Sequence, residues 1–558
     1  MTLIPWLIAL AAIHLWTAFG IRGYAFPDEW YQTLELAGLL APGLSHGHAT
    51  FSQEIGLHLR NLSWPALLTL PLGLADLIAP GNITARFGLA HALSGLLELL
   101  RVWGIWQVLS SALGLPSKRS PLSPSERPRA QFRALGMALS FLPHFVLVDS
   151  IRLHGEHLSS IAFWVAAGLI ARARLGLAGF AMVAIGAARY PSGILSLGLL
   201  LGLVLQKRWS ALPRVFIGIA VGLLVFGWAD WAVYGRPWES LWMYLQYNVF
   251  TGLSAKNFGA ETSAIYWHFF AWRWSRGFFL IPVALLILVG FVRQTPAFIR
   301  AREPWFVAAV LYLVAHCLIG HKEERFMIPL ESILTIGGVI GLASWNRFGN
   351  LFGSFLNGST RSRTSKCVAF AVVSALILAN TIAALQPAFL GDRFKYTGPL
   401  TSVGQTARDH AACGIIVERM LPSLATPDSP TLGFVFPLKD DRSAHRLVWY
   451  EAKPDCSAPG SRLLVYLTKD YWPALRAQCE TFGADRFWRP QLFALCGPDK
   501  LASLFGALQE STEHPRVTTF GRLEKLPQPR ISGEELVRLG IQAVPQPPCR
   551  YLCYGLER

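Results

Sequence analysis

The stretch Leu3-Ile4-Pro5-Trp6-Leu7-Ile8-Ala9-Leu10-Ala11-Ala12-Ile13-His14-Leu15-Trp16-Thr17-Ala18-Phe19-Gly20 carries no charged side chain, and Phe26-Pro27-Asp28-Glu29-Trp30-Tyr31-Gln32 follows shortly after it. An apolar run of roughly 20 residues crosses a bilayer as one helix. Comparable runs lie near 86–112, 134–149, 158–171, 175–188, 192–206, 213–230, 277–292, 305–320, 327–345 and 367–385, about eleven helices in all. The chain therefore reads as an α-helical polytopic membrane protein.

Composition agrees. Of 558 residues, 53% are hydrophobic and 15% charged, with a mean hydropathy of +0.38. Soluble proteins average about 45–50% apolar and about 25% charged residues. A cytosolic enzyme, a disordered chain and a disulfide miniprotein are excluded. The net charge of +16 invites a nucleic-acid reading, but residues 1–385 hold 29 Lys and Arg against 16 Asp and Glu, whereas 386–558 hold 21 against 18. The excess belongs to the membrane part, and no soluble module carries a basic stripe.

Basic residues also choose an orientation. With a cytoplasmic N-terminus, the cytoplasmic connections are 116–133, 172–174, 207–214, 293–304 and 346–366. They hold 17 basic residues and only two acids, Glu126 and Glu303. The remainder before 386 has 12 basic and 14 acidic residues, the asymmetry that positive-inside topology produces. Residues 64–80 are read as a helix in the outer interface, because counting them as a span would reverse every later loop. The first helix is read as retained, since no basic residue precedes Arg22.

This division gives a transmembrane domain over 1–385 and an extracytoplasmic domain over 386–558. The tail is polar and Pro-rich, with strand-like runs at Leu432–Phe436 and Leu463–Leu467 and helical stretches near 403–421 and 532–541, an α/β pattern. Cys413, Cys456, Cys479, Cys496, Cys549 and Cys553 lie in it, and an exported compartment favours at least one disulfide among them.

The ionisable residues gather on the outer side. Asp28 and Glu29 follow the first span. His321-Lys322-Glu323-Glu324-Arg325-Phe326 sits between two later spans. The first pair reads either as a solvated helix N-terminus or as a general base beside a lipid-embedded substrate. The second reads either as a self-paired hairpin or as an anion clamp in which Lys and Arg hold a phosphate. Arg60, Arg152, His154, Glu156, His157, Arg189, Asp230, Tyr234, Asn248, Tyr266, Trp267 and His268 share that side. Together they describe a polar cavity at the outer lipid boundary. Such a cavity suits a lipid-phosphate sugar donor: cations neutralise the leaving phosphate and a carboxylate deprotonates an acceptor hydroxyl. No metal is required if Lys and Arg supply the charge, and the histidines show no metal-ligand spacing.

Pro27-Asp28-Glu29-Trp30-Tyr31-Gln32-Thr33-Leu34-Glu35 and His321-Lys322-Glu323-Glu324-Arg325-Phe326 resemble motifs of the glycosyltransferase family 22 mannosyltransferases, the Alg9-like and GPI-anchor enzymes of GT-C fold. Arg60 with Pro65, Arg189-Tyr190-Pro191-Ser192, Asp230 with Tyr234-Gly235-Arg236 and Asn248, and Tyr266-Trp267-His268-Phe269 resemble further family stretches in the same order. The resemblance covers about residues 1–345. It implies a GT-C fold and an inverting, metal-independent transfer of mannose from a polyprenyl- or dolichyl-phosphate carrier. The acceptor is a glycolipid or glycan on the extracytoplasmic face. By the same resemblance Asp28 is the base, with Glu29 in reserve, and His321, Lys322 and Arg325 engage the donor phosphate. Glu324 supports them, Arg60 or Arg189 adds charge, and Tyr234, Asn248 and His268 line the substrate site. Phe26 stands where the family has His. The membrane is the inner membrane for a bacterial chain and the ER for a eukaryotic one. The rival reading is a lipid or glycan transporter or flippase, which would place ionisable residues mid-span.

Overall fold

The computed structural model describes residues 3–20, 29–40, 58–79, 83–115, 123, 126–252, 260–275 and 281–344, together with five strands between 414 and 544. Asp28, the apolar run 367–385, and the tail outside those strands lie beyond the described residues.

The first compact unit comprises residues 1–18, 58–64 and 91–389. Helix α1 is Leu3–Gly20. A π-turn at Trp30–Leu34 and the short α2, Glu35–Leu40, belong to the second unit, as do residues 65–90 of the two helices that follow. Then come α3 (Ser63–Ile78), α4 (Ile83–Ala112), α5 (Arg127–Phe141), α6 (His144–Asp149), α7 (Gly155–Ala171) and α8 (Leu175–Ala188). They continue with α9 (Gly193–Leu205), α10 (Leu212–Tyr234), α11 (Glu239–Leu245), α12 (Ala264–Ser275), α13 (Ile281–Ala301), α14 (Pro304–Leu318) and α15 (Ile328–Ser344). Among the described residues, five stretches are long and apolar enough to cross a membrane: Leu3–Gly20, Ala85–Ala112, Trp209–Tyr234, Val283–Ala301 and Glu324–Ser344. Shorter apolar helices, including α7, α8, α9 and α14, stand between them.

Two expected boundaries shift. The run 134–149 is two helices, α5 and α6, because Pro143 has no N–H to continue the ladder and its own backbone turns extended, at φ −57° and ψ 140°. The run 277–292 extends as α13 to Ala301, so Arg293 and Arg300 belong to helical turns rather than to a loop. Long basic side chains reach the headgroups from such turns without ending the helix.

Side chains on opposite faces explain the packing. On α10, Phe216, Ile217, Leu224 and Trp228 are exposed, and on α13 Leu285, Leu288 and Val292 are, as lipid-facing surfaces require. Helix α15 is buried almost along its length, with Ile333, Ile336 and Ile340 in a core that includes Val102, Phe141, Phe163, Trp164 and Leu199. Small residues set the closest helix contacts. A Cβ at Gly218 would meet the Gly176 carbonyl, and one at Gly179 that of Val215, so α8 and α10 touch backbone to backbone.

The second unit comprises residues 19–57, 65–90 and 390–558. Its five strands are β1 (Gly414–Glu418), β2 (Leu447–Glu451), β3 (Leu463–Leu467), β4 (Leu492–Cys496) and β5 (Gln542–Val544). They form one sheet in the order β2-β1-β3-β4-β5. β1 and β3 are parallel and the other neighbours antiparallel. The helix expected over 403–421 is corrected: β1 occupies Gly414–Glu418, where the β-branched run Ile415-Ile416-Val417 favours a strand. Leu463–Leu467 is the strand expected there. The run Leu432–Phe436, the stretch 532–541 and the cysteine pairing lie outside the described residues.

Candidate active site

Three helix ends build the site. Gly155 opens α7, and a Cβ there would strike the Ala188 carbonyl at the close of α8. That contact brings Glu156, in the first turn of α7, against Arg189, just beyond α8. The Arg189 Nε lies 3.0 Å from Glu156 Oε1. From the turn between α14 and α15, Arg325 reaches the same oxygen, its Nε at 3.3 Å. Glu156 is fully buried, and both arginine side chains are at most 8% exposed. A buried carboxylate survives only with such partners.

A second carboxylate closes the cluster. Glu323 Oε2 lies 2.6 Å from Arg325 Nε, and its Oε1 is 2.9 Å from His321 Nε2. Burial alone would raise the Glu323 carboxyl. The Arg325 guanidinium, the His321 hydrogen bond and the Arg189 charge reverse this and hold it down at about 2. The His154 ring caps α7 by accepting from the His157 amide at 3.1 Å, and lies 3.2 Å from Glu156 Oε2.

Phe326 forms the floor. The Arg189 guanidinium stands 4.7 Å above its ring, and the His316 and His321 rings lie 5.8 and 6.1 Å from it. The Tyr312 hydroxyl donates to the Phe326 carbonyl at 2.7 Å, fixing that floor to α14.

The structure thus joins Arg189, Arg325 and His321. Lys322 turns elsewhere: its Nζ donates to the carbonyls of Glu261 at 2.9 Å and Ile319 at 2.5 Å, tying residue 261 to the end of α14. Glu324 points outward to His268, whose Nδ1 is 3.7 Å away, with side chains 43% and 71% exposed. Asn248 donates to the Tyr244 carbonyl at 3.0 Å, within its own helical turn. Tyr234 donates to the Arg60 carbonyl at 3.3 Å and stacks on His58 at 4.3 Å. In the other unit Glu29 is fully buried, and Thr33 donates to its carbonyl. Among the described residues, no three His, Cys, Asp or Glu side chains gather as a metal site.

Sequence reasoning names Glu156 and Glu323 only as neighbours. The structure makes Glu156 the partner shared by both arginines. The available signal was an acid at the first turn of an otherwise apolar helix, a place too costly for an unpaired charge.

The helical membrane bundle is of GT-C type in its fold. Over 85% of this chain and 94% of the other, it resembles ArnT from Cupriavidus metallidurans bound to undecaprenyl phosphate. The TM-score is 0.52 and the identity 13%, a likeness of fold. Residues 5–391 match the Alg9-like mannosyltransferase family, and the chain belongs to that family. It is 28% identical over 349 residues to GPI mannosyltransferase 3 of Yarrowia lipolytica, covering 59% of this chain and 60% of that one. It is 25% identical over 163 residues to GPI mannosyltransferase 3 of Candida albicans, covering 29% and 30%. The matched region therefore spans well under two thirds of either relative's length.

Proposed function

We propose that the protein is an integral-membrane glycosyltransferase that moves a hexose, with mannose the first to test, from a polyprenyl-phosphate carrier to a lipid-linked or glycan acceptor. The observation that carries this reading is the pair of guanidiniums, Arg189 and Arg325, that meet on Glu156, with Arg189 standing over the Phe326 ring. Two forked cations beside an apolar ring suit a phosphate whose ester tail lies in lipid. Family membership supports the sugar, and the undecaprenyl phosphate of the ArnT structure supports the carrier class.

In the reaction the acceptor hydroxyl attacks the anomeric carbon from the face opposite the phosphate. The bond from that carbon to the phosphate oxygen breaks, and its electron pair leaves with the phosphate. Asp28 takes the hydroxyl proton, with Glu29 in reserve. Inversion follows from the single displacement. Arg189 and Arg325 stabilise the charge gained by the departing phosphate, with His321 and Arg60 as further donors around it, while Lys322 braces the turn that carries Arg325. Arginine rather than a metal ion supplies the positive charge in this scheme. Glu324, Tyr234, Asn248 and His268 belong to the wider substrate surface.

The basic connections support a cytoplasmic N-terminus and a site on the extracytoplasmic face. Residues 1–385 then form the transferase domain and 386–558 an extracytoplasmic domain. The test incubates purified protein with radiolabelled polyprenyl-phosphate-mannose and a panel of acceptor glycolipids. Transfer of label to an acceptor, lost in Asp28→Asn, is expected. Wild-type protein that leaves all label on the carrier would refute the reading.

A further inference from the structure

Outside the arginine cluster stands another buried carboxylate, one that the reaction scheme leaves idle. Asp230, near the outer end of α10, is fully buried. Its Oδ1 accepts from Asn61 Nδ2 at 2.9 Å and from the Leu62 amide at 3.4 Å. Its Oδ2 accepts from the Ser240 amide at 3.1 Å and from the Ser240 hydroxyl. Four donors occupy the roughly four acceptor sites a carboxylate offers, so Asp230 is built to hold neighbours rather than to take a proton.

Those neighbours belong to separate parts of the chain. Asn61 and Leu62 directly follow Arg60, and Asn61 is tied again to α10 through the Phe226 carbonyl at 3.1 Å. Ser240 opens α11, and its hydroxyl pairs with that of Tyr190, the residue after Arg189. Tyr234, one turn beyond Asp230, anchors the Arg60 carbonyl. One side chain thus fixes the segment bearing Arg60, the start of α11 and the turn bearing Arg189. Gly235 ends α10 in the left-handed region, at φ 79°, and turns the chain so that Ser240 returns to Asp230.

We propose that Asp230 is a positioning residue that sets Arg60 and Arg189 in register for the donor phosphate. The inference rests on the function proposed above. Asp230→Asn keeps the shape but aims an NH2 group at donors, and a buried donor left facing a donor costs on the order of 1–3 kcal/mol. The joint opens without a cavity.

The experiment uses the full chain in nanodiscs and has two readouts. Hydrogen exchange should show residues 58–64 and 239–245 losing protection together in Asp230→Asn, with α7 unchanged. With polyprenyl-phosphate-mannose as donor, KM should rise about tenfold while kcat stays within about threefold, a loss comparable to one charged buried hydrogen bond. Ser240→Ala, which keeps the backbone donor, should raise donor KM about threefold and serves if Asp230→Asn does not fold. Because both act on one joint, the double variant should be no worse than Asp230→Asn alone. Unchanged exchange in either segment overturns the proposal, as does a loss confined to kcat. If wild-type protein transfers nothing, the function reading fails, while the exchange result still decides whether Asp230 is the joint.

Discussion

Helices α7 and α8 carry charges at both of their ends, and the two ends handle them differently. Where α7 begins and α8 finishes, Glu156 is buried with Arg189 and Arg325 at 3.0 and 3.3 Å from one of its oxygens. Where α7 finishes and α8 begins, Arg172 and Arg174 are exposed. Around the connections on that side Lys207, Arg214, Arg300 and Arg302 are exposed as well. About 25 Å of helix separates the two kinds of environment. Water and headgroups tolerate a crowd of like charges, whereas the interior accepts a charge only with its partner. A count of basic residues therefore reports topology, and the buried, paired residues report chemistry.

The comparison can be broken most severely at Glu156. Glu156→Gln leaves two buried guanidiniums without their shared carboxylate, so thermal unfolding should reveal a loss of about 3–5 kcal/mol together with loss of transfer. Arg325→Ala should cost a similar amount or less, since Glu156 keeps Arg189 and His154 and Glu323 keeps His321. An unchanged melting temperature in both would mean the cluster is not buried as described. Asp28→Asn should lower transfer by about 10²–10⁴-fold, the usual range for a lost general base, without altering the melting temperature.

A smaller effect concerns acidity. The folded Glu323 carboxyl titrates near 2, below its ordinary value of 4.5. A carboxyl depressed by folding adds stability that is complete above the ordinary value and fades as pH falls toward 2. Between pH 4.5 and 2, stability should therefore fall more steeply for wild-type protein than for Glu323→Gln. Parallel curves in that window would remove Glu323 from the ion-pair set. Least affected should be the double variant Arg172→Ala with Arg174→Ala, whose stability should stay within about 0.5 kcal/mol of wild type.

Much of this was legible in the chain itself. Apolar runs located the helices because a bilayer demands length and hydropathy, both local properties. Pro143 was equally visible, yet the apolar pattern runs through it and hides the break between α5 and α6. The strand at Gly414–Glu418 lies where the sequence pattern suggests a helix, because a short apolar run does not declare its period. Within the site, Arg189, His321 and Arg325 could be singled out as costly charges near apolar helices. The meeting of Arg189 and Arg325 on Glu156 could not, since it depends on Gly155 letting α7 and α8 approach far from where they are joined in sequence. Lys322 shows the opposite lesson: a basic residue inside a clamp-like motif can spend its donors on main-chain carbonyls.

The most direct test is equilibrium binding of polyprenyl phosphate to wild-type protein and to Arg189→Lys and Arg325→Lys in nanodiscs. Lysine keeps the charge but lacks the planar fork, so each variant should bind about tenfold or more weakly. Equal affinity in all three would show that the phosphate is held elsewhere and would contradict the assignment of the arginine pair.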